Sequence, residues 1–510
     1  MSTGTLVIDV NTIFGLRLDT DPRYTSDALA MELDRHHVAC ALTCSRQGVD
    51  YSPGSGNREA IAAAHRHPGL VAVGVLNPHD QFGWRAEADR CFAEGINVFR
   101  FFPRTQRWEP GSEAFREMLD YLHSRHAVII VGISEWGGEW NTVGAVARAT
   151  HPLGIPVILA ETYYANQSEV IALMRKYAHL YADTSFLATV DAVQCMAGAV
   201  GHERLLYGSA GPWHPMQKAL NQVLDADLPA TQKAAILGGN AERLLKLDPA
   251  MLMGRPRLDS LDPVGFEERI IDVHSHLGLW MTGLCQENYD PSCMLARMRK
   301  AGVSHSILSS CEGMRYDIAS GNRALAAAIE GHPELLGMVE LDPRQYELSC
   351  AEMERYYRLP NFAACELELS HLDCPTGSTE VRRLMAVIAR HGKPVLLMTQ
   401  QGDADAAAEI ALATANPSLT IVHAHGADPA WARAVKGTPN ICVEYCFSRT
   451  THHRVRDGID ILGPERVLFG SDQTLLSPAG QIGLYHDARL DARERELILY
   501  ANARRIYRIK

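Results

Sequence analysis

The sequence predicts an α/β protein built from two tandem (β/α)8 TIM barrels, and three observations carry that prediction. The chain has 510 residues, 46% of them hydrophobic, which is enough for two full cores. It also repeats itself: Ser55-Gly56-Asn57-Arg58 followed by EAIAAAHRHPGLVAVGVLNP returns as Ser320-Gly321-Asn322-Arg323 followed by ALAAAIEGHPELLGMVELDP. Ile8-Asp9-Val10 likewise returns as Ile271-Asp272-Val273, Gly208-Ser209 as Gly470-Ser471, and Asn240-Ala241 as Asn502-Ala503, all at nearly one shift. Chance similarity would not stay in register over most of each half. Finally, each copy alternates short Val/Ile/Leu-rich runs with longer helix-patterned stretches, as βα units do.

In the second copy the runs are RIIDVHSH, SHSILSS, LLGMVELD, FAACELEL, PVLLMTQ, LTIVHAH, ICVEYCF and RVLFGSD. They are continuous rather than alternating in polarity, as strands buried on both faces of a parallel sheet should be. Segments such as NRALAAAIEGH and STEVRRLMAVIARHG between them are long enough for crossover helices. The first copy supplies a matching set. The expected organisation is a barrel over residues 1–248, a linker over 249–267 marked by Pro249, Pro256 and Pro263, and a barrel over 268–510.

Composition narrows the function. With 49 Lys plus Arg against 60 Asp plus Glu the net charge is −11, and no basic run interrupts it, which excludes nucleic acid and anionic membrane as expected partners. No stretch approaches the roughly 18 apolar residues of a membrane span, and MSTGTLVIDV lacks the pattern of a signal peptide. A cytoplasmic protein acting on a small molecule is expected. The twelve cysteines include no CxxC pair and read as reduced thiols. Paired barrels offer surfaces large enough for a homodimer.

Catalytic groups in such barrels sit at the C-terminal ends of the strands. In the second copy the first strand ends in His274-Ser275-His276; residues i and i+2 of a strand share a side, so both imidazoles face the mouth and are placed to share one metal. The fourth strand holds Glu366 and Glu368, another i, i+2 pair. The sixth strand ends in His425, with His423 two residues earlier and expected deeper inside the barrel, and the eighth ends in Asp472.

With IDVHSH at the first strand, TIVHAHGA at the sixth, RVLFGSD at the eighth and NARRIYRI at the end, the second half resembles the amidohydrolase superfamily of metal-dependent TIM-barrel hydrolases. The likeness is nearest to the amidohydrolase-related branch, which also contains decarboxylases and lactonases. It implies one divalent ion, zinc with manganese or iron as alternatives, held by His274, His276 and Asp472. It further implies that Asp472 takes a proton from the attacking water and that His425 is either a ligand or a donor that polarises the substrate. One departure stands out: the family's fifth-strand histidine is replaced by Met398, a poor ligand for such a cation. Glu366 or Glu368 is then expected to complete the site.

The first copy resembles the family as a scaffold only. Opposite His274, His276, His425, Asp472 and Met398 it has Asn11, Ile13, Glu161, Ala210 and Val131, so no catalytic metal is expected there. Arg100 and Glu161, with Trp136 and Trp213 nearby, would form a small polar substrate-binding pocket or merely pack the mouth. The expected activity is hydrolysis of an amide, lactone or similar bond in the second barrel. Non-oxidative decarboxylation of a small acid, or a binding role with two inactive barrels, are the alternatives. Loops such as SRTTHHRVRDG, with His452, His453, Arg454 and Arg456, suit a small anionic or aromatic substrate.

Overall fold

The computed structural model describes residues 4–16, 21–133, 141–281, 290–399, 403–426 and 428–510. Trp136 and the Gln400 that ends the fifth predicted strand lie outside these residues. The chain divides into two compact units, Met1–Pro263 and Val264–Lys510.

In the second unit eight parallel strands follow in chain order, each paired with the next: Ile270–Leu277, Val303–Ser310, Leu335–Glu340, Phe362–Glu368, Val395–Met398, Ile421–His423, Ile441–Glu444 and Val467–Leu468. The first and last strands close the ring through the Val273 amide to the Phe469 carbonyl (3.0 Å), the Asp472 amide to the His274 carbonyl (2.7 Å) and a parallel bridge between Ser275 and Gln473. All eight predicted strands are present. The pleat sorts their side chains into two layers. Ile271, Val273, Ile307, Met338, Ala364, Leu396, Val422, Cys442 and Leu468 fill the barrel. The alternating Leu308, Val339, Cys365, Leu397, Ile421 and Val443 meet the surrounding helices.

The helix Thr379–His391 shows how those helices are specified. Ser378 caps it by accepting the Val381 amide, and Gly392 ends it in the left-handed region at φ 62. Val381, Leu384, Met385 and Ile388, spaced as one helical face, are its buried residues. Each such side chain contributes roughly 1.5–3 kcal/mol by leaving water.

The first unit repeats this plan with one interruption. Its third strand is split into Leu70–Ala72 and Gly74–Val75, so a three-stranded sheet is followed by a six-stranded one, and Val73 bridges them through its amide to Thr43 (2.8 Å). Closure again runs from first strand to last, through Val10 to Tyr207 (2.9 Å) and a Thr12–Gly211 bridge. Residues 249–263, expected as a linker, fold onto this unit instead. Pro249–Leu252 is a helical turn, Arg255 donates to the Ala39 carbonyl (2.7 Å), and Thr5 pairs with Leu258.

The shared SGN motif is explained by two contacts found in both units. Asn57 exchanges hydrogen bonds with the backbone of Val75 (3.0 and 2.7 Å), as Asn322 does with that of Glu340 (3.1 and 2.8 Å). Gly56 lies against Gly48, and Gly321 against Gly313, so closely that a Cβ would come 2.1 and 2.2 Å from the partner's backbone nitrogen. Among the described residues ten cysteines are free thiols. No helix among the described residues is long and apolar enough to cross a membrane.

Gly321→Ala is therefore expected to lower the stability of the chain by about 3 kcal/mol through forced backbone separation. Gly437→Ala, where a Cβ meets nothing within 4 Å, should change it by less than about 0.5 kcal/mol. Denaturant unfolding of the two variants checks this, and equal stabilities would refute the close-packing account.

Candidate metal centre

The site begins with Asp272, buried in the first strand where the register shifts between Asp272 and Ser275. Its carboxylate accepts from the amides of His274 (3.2 Å) and Ser471 (2.9 Å) and from the hydroxyls of Ser275 (2.9 Å) and Ser471 (2.5 Å). Burial raises its pKa to about 6 even against these bonds. The effect is to pin the end of the eighth strand to the first and to turn His274 and His276 into the mouth.

Both imidazoles are fixed from behind. His274 donates from Nδ1 to Glu444 Oε1 (2.9 Å), and His276 Nδ1 meets the Ser309 hydroxyl (2.8 Å). With Nδ1–H donated to Glu444, Nε2 is the atom of His274 turned towards a cation, and a bound ion would take the place of the proton there, the arrangement common to metal-bound histidine. The two Nε2 atoms face each other at 3.2 Å, and Asp472 Oδ1 lies 3.2 Å from His276 Nε2. Two nitrogens bound to one tetrahedral ion at about 2.0–2.1 Å would be roughly 3.3 Å apart. Burial opposes a charge on His274, but the nearby carboxylates of Glu444, Asp472 and Glu366 outweigh it and raise its pKa to about 10. The pocket thus favours positive charge. Asp472 is held below the usual carboxylate range: burial acts against ionisation, and His276 and His274 prevail.

Glu366 supplies the strongest sign of a cation. It is completely buried, its Oε2 lies 3.9 Å from His276 Nδ1, and neither oxygen has a hydrogen-bond partner. A buried carboxylate left so costs several kcal/mol unless a positive charge meets it. His274, His276 and Glu366 each offer a ligand atom within 4.8 Å of the others. These donors fit a divalent ion.

The other expected residues separate. Glu368 faces the loop after its strand, bonded to the Ser370 hydroxyl and paired with His371. His425 is beside His274, with ring centres 4.9 Å apart, but its Nδ1 donates to the Cys446 carbonyl (2.8 Å) and its Nε2 lies 3.3 Å from Met398 Sδ. The fifth-strand methionine therefore occupies the space in front of His425. His423 does not point inward: it bonds Glu409 (3.0 Å) and lies against Trp431 in the helix layer. The left-handed backbone at His425 (φ 66) breaks the i, i+2 rule that placed the two histidines together. Arg456 spends its guanidinium on Glu494 (2.8 and 2.9 Å) and Asp460 (2.9 Å) and serves the fold.

Three residues of the site were missed in the sequence. Glu444 holds His274, accepts the amides of His425 and Cys446 (2.6 Å each), and has its pKa lowered to about 2, His274 overcoming the effect of burial. Those bonds consume its oxygens, so although it groups with His274, His425 and Cys446, it acts as a positioning residue. Ser309 orients His276 and also bonds Glu340, whose carboxyl is pushed well up by burial and by Glu366 and Glu368. The available signal was periodicity: Ser309, Glu340 and Glu444 each stand two residues beyond an inward apolar residue, Ile307, Met338 and Cys442.

In the first unit Asp183 takes the place of Glu444, accepting from Asn11 Nδ2 (2.6 Å) and from the Glu161 amide (2.9 Å), and Asp9 repeats three of the four bonds of Asp272, from the Asn11 amide and the amide and hydroxyl of Ser209. Glu161 (φ 70) and Ala210 (φ 58) share the left-handed backbone of His425 (φ 66) and Asp472 (φ 56). Ile13 and Ala210 offer no ligand atom. Arg100 and Glu161 form an ion pair (3.3 Å), while Trp213 stacks on Tyr24 with ring centres 5.0 Å apart.

The family model described as amidohydrolase matches residues 52–247 and 271–509, and the chain belongs to that family. Among solved structures it is similar to a 2,6-dihydroxybenzoate decarboxylase from Rhizobium (13% identity, 47% of this chain and 99% of that one, TM-score 0.40). Another is a 5-carboxyvanillate decarboxylase from Sphingomonas paucimobilis (16%, 48% and 99%, 0.40). A third is an amidohydrolase from Burkholderia multivorans with bound zinc (16%, 48% and 100%, 0.39). No curated protein matches the chain.

Glu444→Gln, which leaves the His274 ring without a charged acceptor, is expected to weaken zinc binding by about 10–100-fold. Gly470→Ala should act similarly, because a Cβ there would lie 2.5 Å from Glu444 Oε2. Competition against a chelator of known affinity reads both, and unchanged affinity would show that His274 is oriented without Glu444.

Proposed function

We propose that the second barrel is a metal-dependent hydrolase of a small molecule, cleaving an amide, lactone or similar C–N or C–O bond with water. We also propose that the two barrels arose by duplication and that the first performs no hydrolysis. The observation that carries this reading is the grouping of His274, His276 and the unpartnered carboxylate of Glu366, whose ligand atoms lie within 4.8 Å of one another, with Asp472 Oδ1 3.2 Å from His276 Nε2. His274, His276, Asp472 and Glu366 would hold one ion, zinc suiting the mixed imidazole and carboxylate donors best and manganese or iron being alternatives. When bound, such an ion lowers the pKa of water towards neutrality and stabilises charge growing on the substrate oxygen.

The protein's own groups do the rest. Asp472, kept ionised by the two histidines, accepts the proton of the attacking water and passes it to the leaving group. His425, with its Nδ1 tied to the Cys446 carbonyl, is the proposed donor to the substrate through Nε2, the atom that meets Met398 Sδ (3.3 Å) in this structure. Trp280 closes the other side, with its ring centre 5.4 Å from that of His276.

One feature favours a second reading, non-oxidative decarboxylation. The Arg315 guanidinium lies 5.0 Å over the Trp280 ring, a cation on an aromatic wall that suits a planar carboxylate.

Purified protein is expected to carry about one equivalent of divalent metal. His276→Ala and Asp472→Asn should each lower hydrolysis of a lactone, ester and amide panel by roughly 100-fold or more. Less than about 0.2 equivalents of metal, with activity untouched by chelation, would sink the metal claim. Carbon dioxide release from aromatic acids without any hydrolysis would replace the first reading with the second.

A further inference from the structure

The mouth of the first barrel holds a buried charged group of opposite sign to Glu366, with one donor left without an acceptor. Arg100 pairs in register with Val75 as Glu366 pairs with Glu340, so an arginine stands where the other barrel has its unpartnered carboxylate. Arg100 is only 2% exposed. Its Nη1 donates to the Thr12 carbonyl (3.2 Å), its Nη2 to Glu161 (3.3 Å), and its guanidinium lies 4.9 Å over the Phe102 ring and touches the Cys44 thiol. Nε, equally buried, has no acceptor. Beside the same strand ends, fully buried Asn11 gives its amide nitrogen to Asp183 (2.6 Å) and Ser185 (3.3 Å) and leaves Oδ1 without a donor.

A buried donor of a charged group costs more to leave unpaired than a neutral one, and an arginine fork is shaped for two oxygens in a plane. The reasoning that assigns a cation to Glu366 therefore assigns an anion to Arg100. We propose that the mouth of the first barrel is a binding site for a small carboxylate, whose oxygens accept from Nε and Nη of Arg100 while a donor on the ligand meets Asn11 Oδ1. Glu161, whose side chain is 18% exposed, is the competing anion: it engages one Nη and opposes a second negative charge. The site thus has one residue that attracts the ligand and one that resists it. It stands apart from the hydrolase reading, because none of its groups belongs to the second barrel.

Calorimetric titration of acetate, benzoate and inorganic phosphate into the full-length His276→Ala protein tests it, since that background disables the second barrel's centre. Saturable binding of acetate or benzoate is expected. Added Arg100→Met should weaken it about tenfold or more, the loss of a charge-assisted contact. Added Glu161→Gln should tighten it severalfold by removing the rival charge. Circular dichroism shows whether Arg100→Met folds, and Glu161→Gln decides the matter if it does not. The proposal is overturned by absent carboxylate binding, by tighter binding of phosphate than of either carboxylate, by indifference to Arg100→Met in a folded protein, or by weaker binding in Glu161→Gln.

Discussion

One buried carboxylate holds the candidate centre together. Asp272 accepts four hydrogen bonds, two from His274 and Ser275 of its own strand and two, from the amide and hydroxyl of Ser471, that join the first strand to the end of the eighth. A barrel has no edge to which such a defect could be displaced, so the seam between first and last strand must be closed by specific groups. Here the seam also carries three of the four proposed ligands. The position of His274 and His276 on one side and Asp472 on the other is set by the same clasp, and Asp9 with Ser209 makes it again in the first unit.

Much of the architecture was legible because it rests on burial. Strands covered on both faces must be apolar throughout, and the eight runs of the second half stood out for that reason. His274, His276 and Glu366 were legible through the two-residue period of a strand. What escaped has a physical cause in each case. Glu444 ends an apolar strand, and a single carboxylate there resembles a rim residue until its bonds to His274, His425 and Cys446 are seen. His423 was misplaced because the period was carried through a left-handed residue. The prolines after Lys246 announce irregular chain, but they do not show that Arg255 ties that chain to Ala39. The break at Val73 leaves no mark in a run that is apolar throughout.

The two mouths share a framework and differ in charge. Asp183 and Glu444 sit in equivalent networks, each gripping the residue that ends the first strand, Asn11 or His274. Inside that frame the second unit gathers imidazoles and carboxylates, whereas the first sets the Arg100 guanidinium against Glu161. In a medium of low dielectric such a reversal changes the kind of solute each cavity favours. The hydrogen bonds that maintain the walls are unaffected.

The left-handed residues extend this point. A non-glycine side chain at positive φ carries a cost of roughly 1–2 kcal/mol, yet Glu161 and Ala210 bear it as His425 and Asp472 do. Ile13 and Ala210 offer no ligand atom, yet the corners are the same, so the strain belongs to the path the chain follows in leaving its sixth and eighth strands. The two units differ in the side chains at these corners and agree in the corners themselves. The first barrel is thus a preformed template: five exchanges, at Asn11, Ile13, Arg100, Glu161 and Ala210, would set imidazoles and carboxylates on a backbone already bent to present them. The distance between the two mouths is short in sequence and shorter still in conformation.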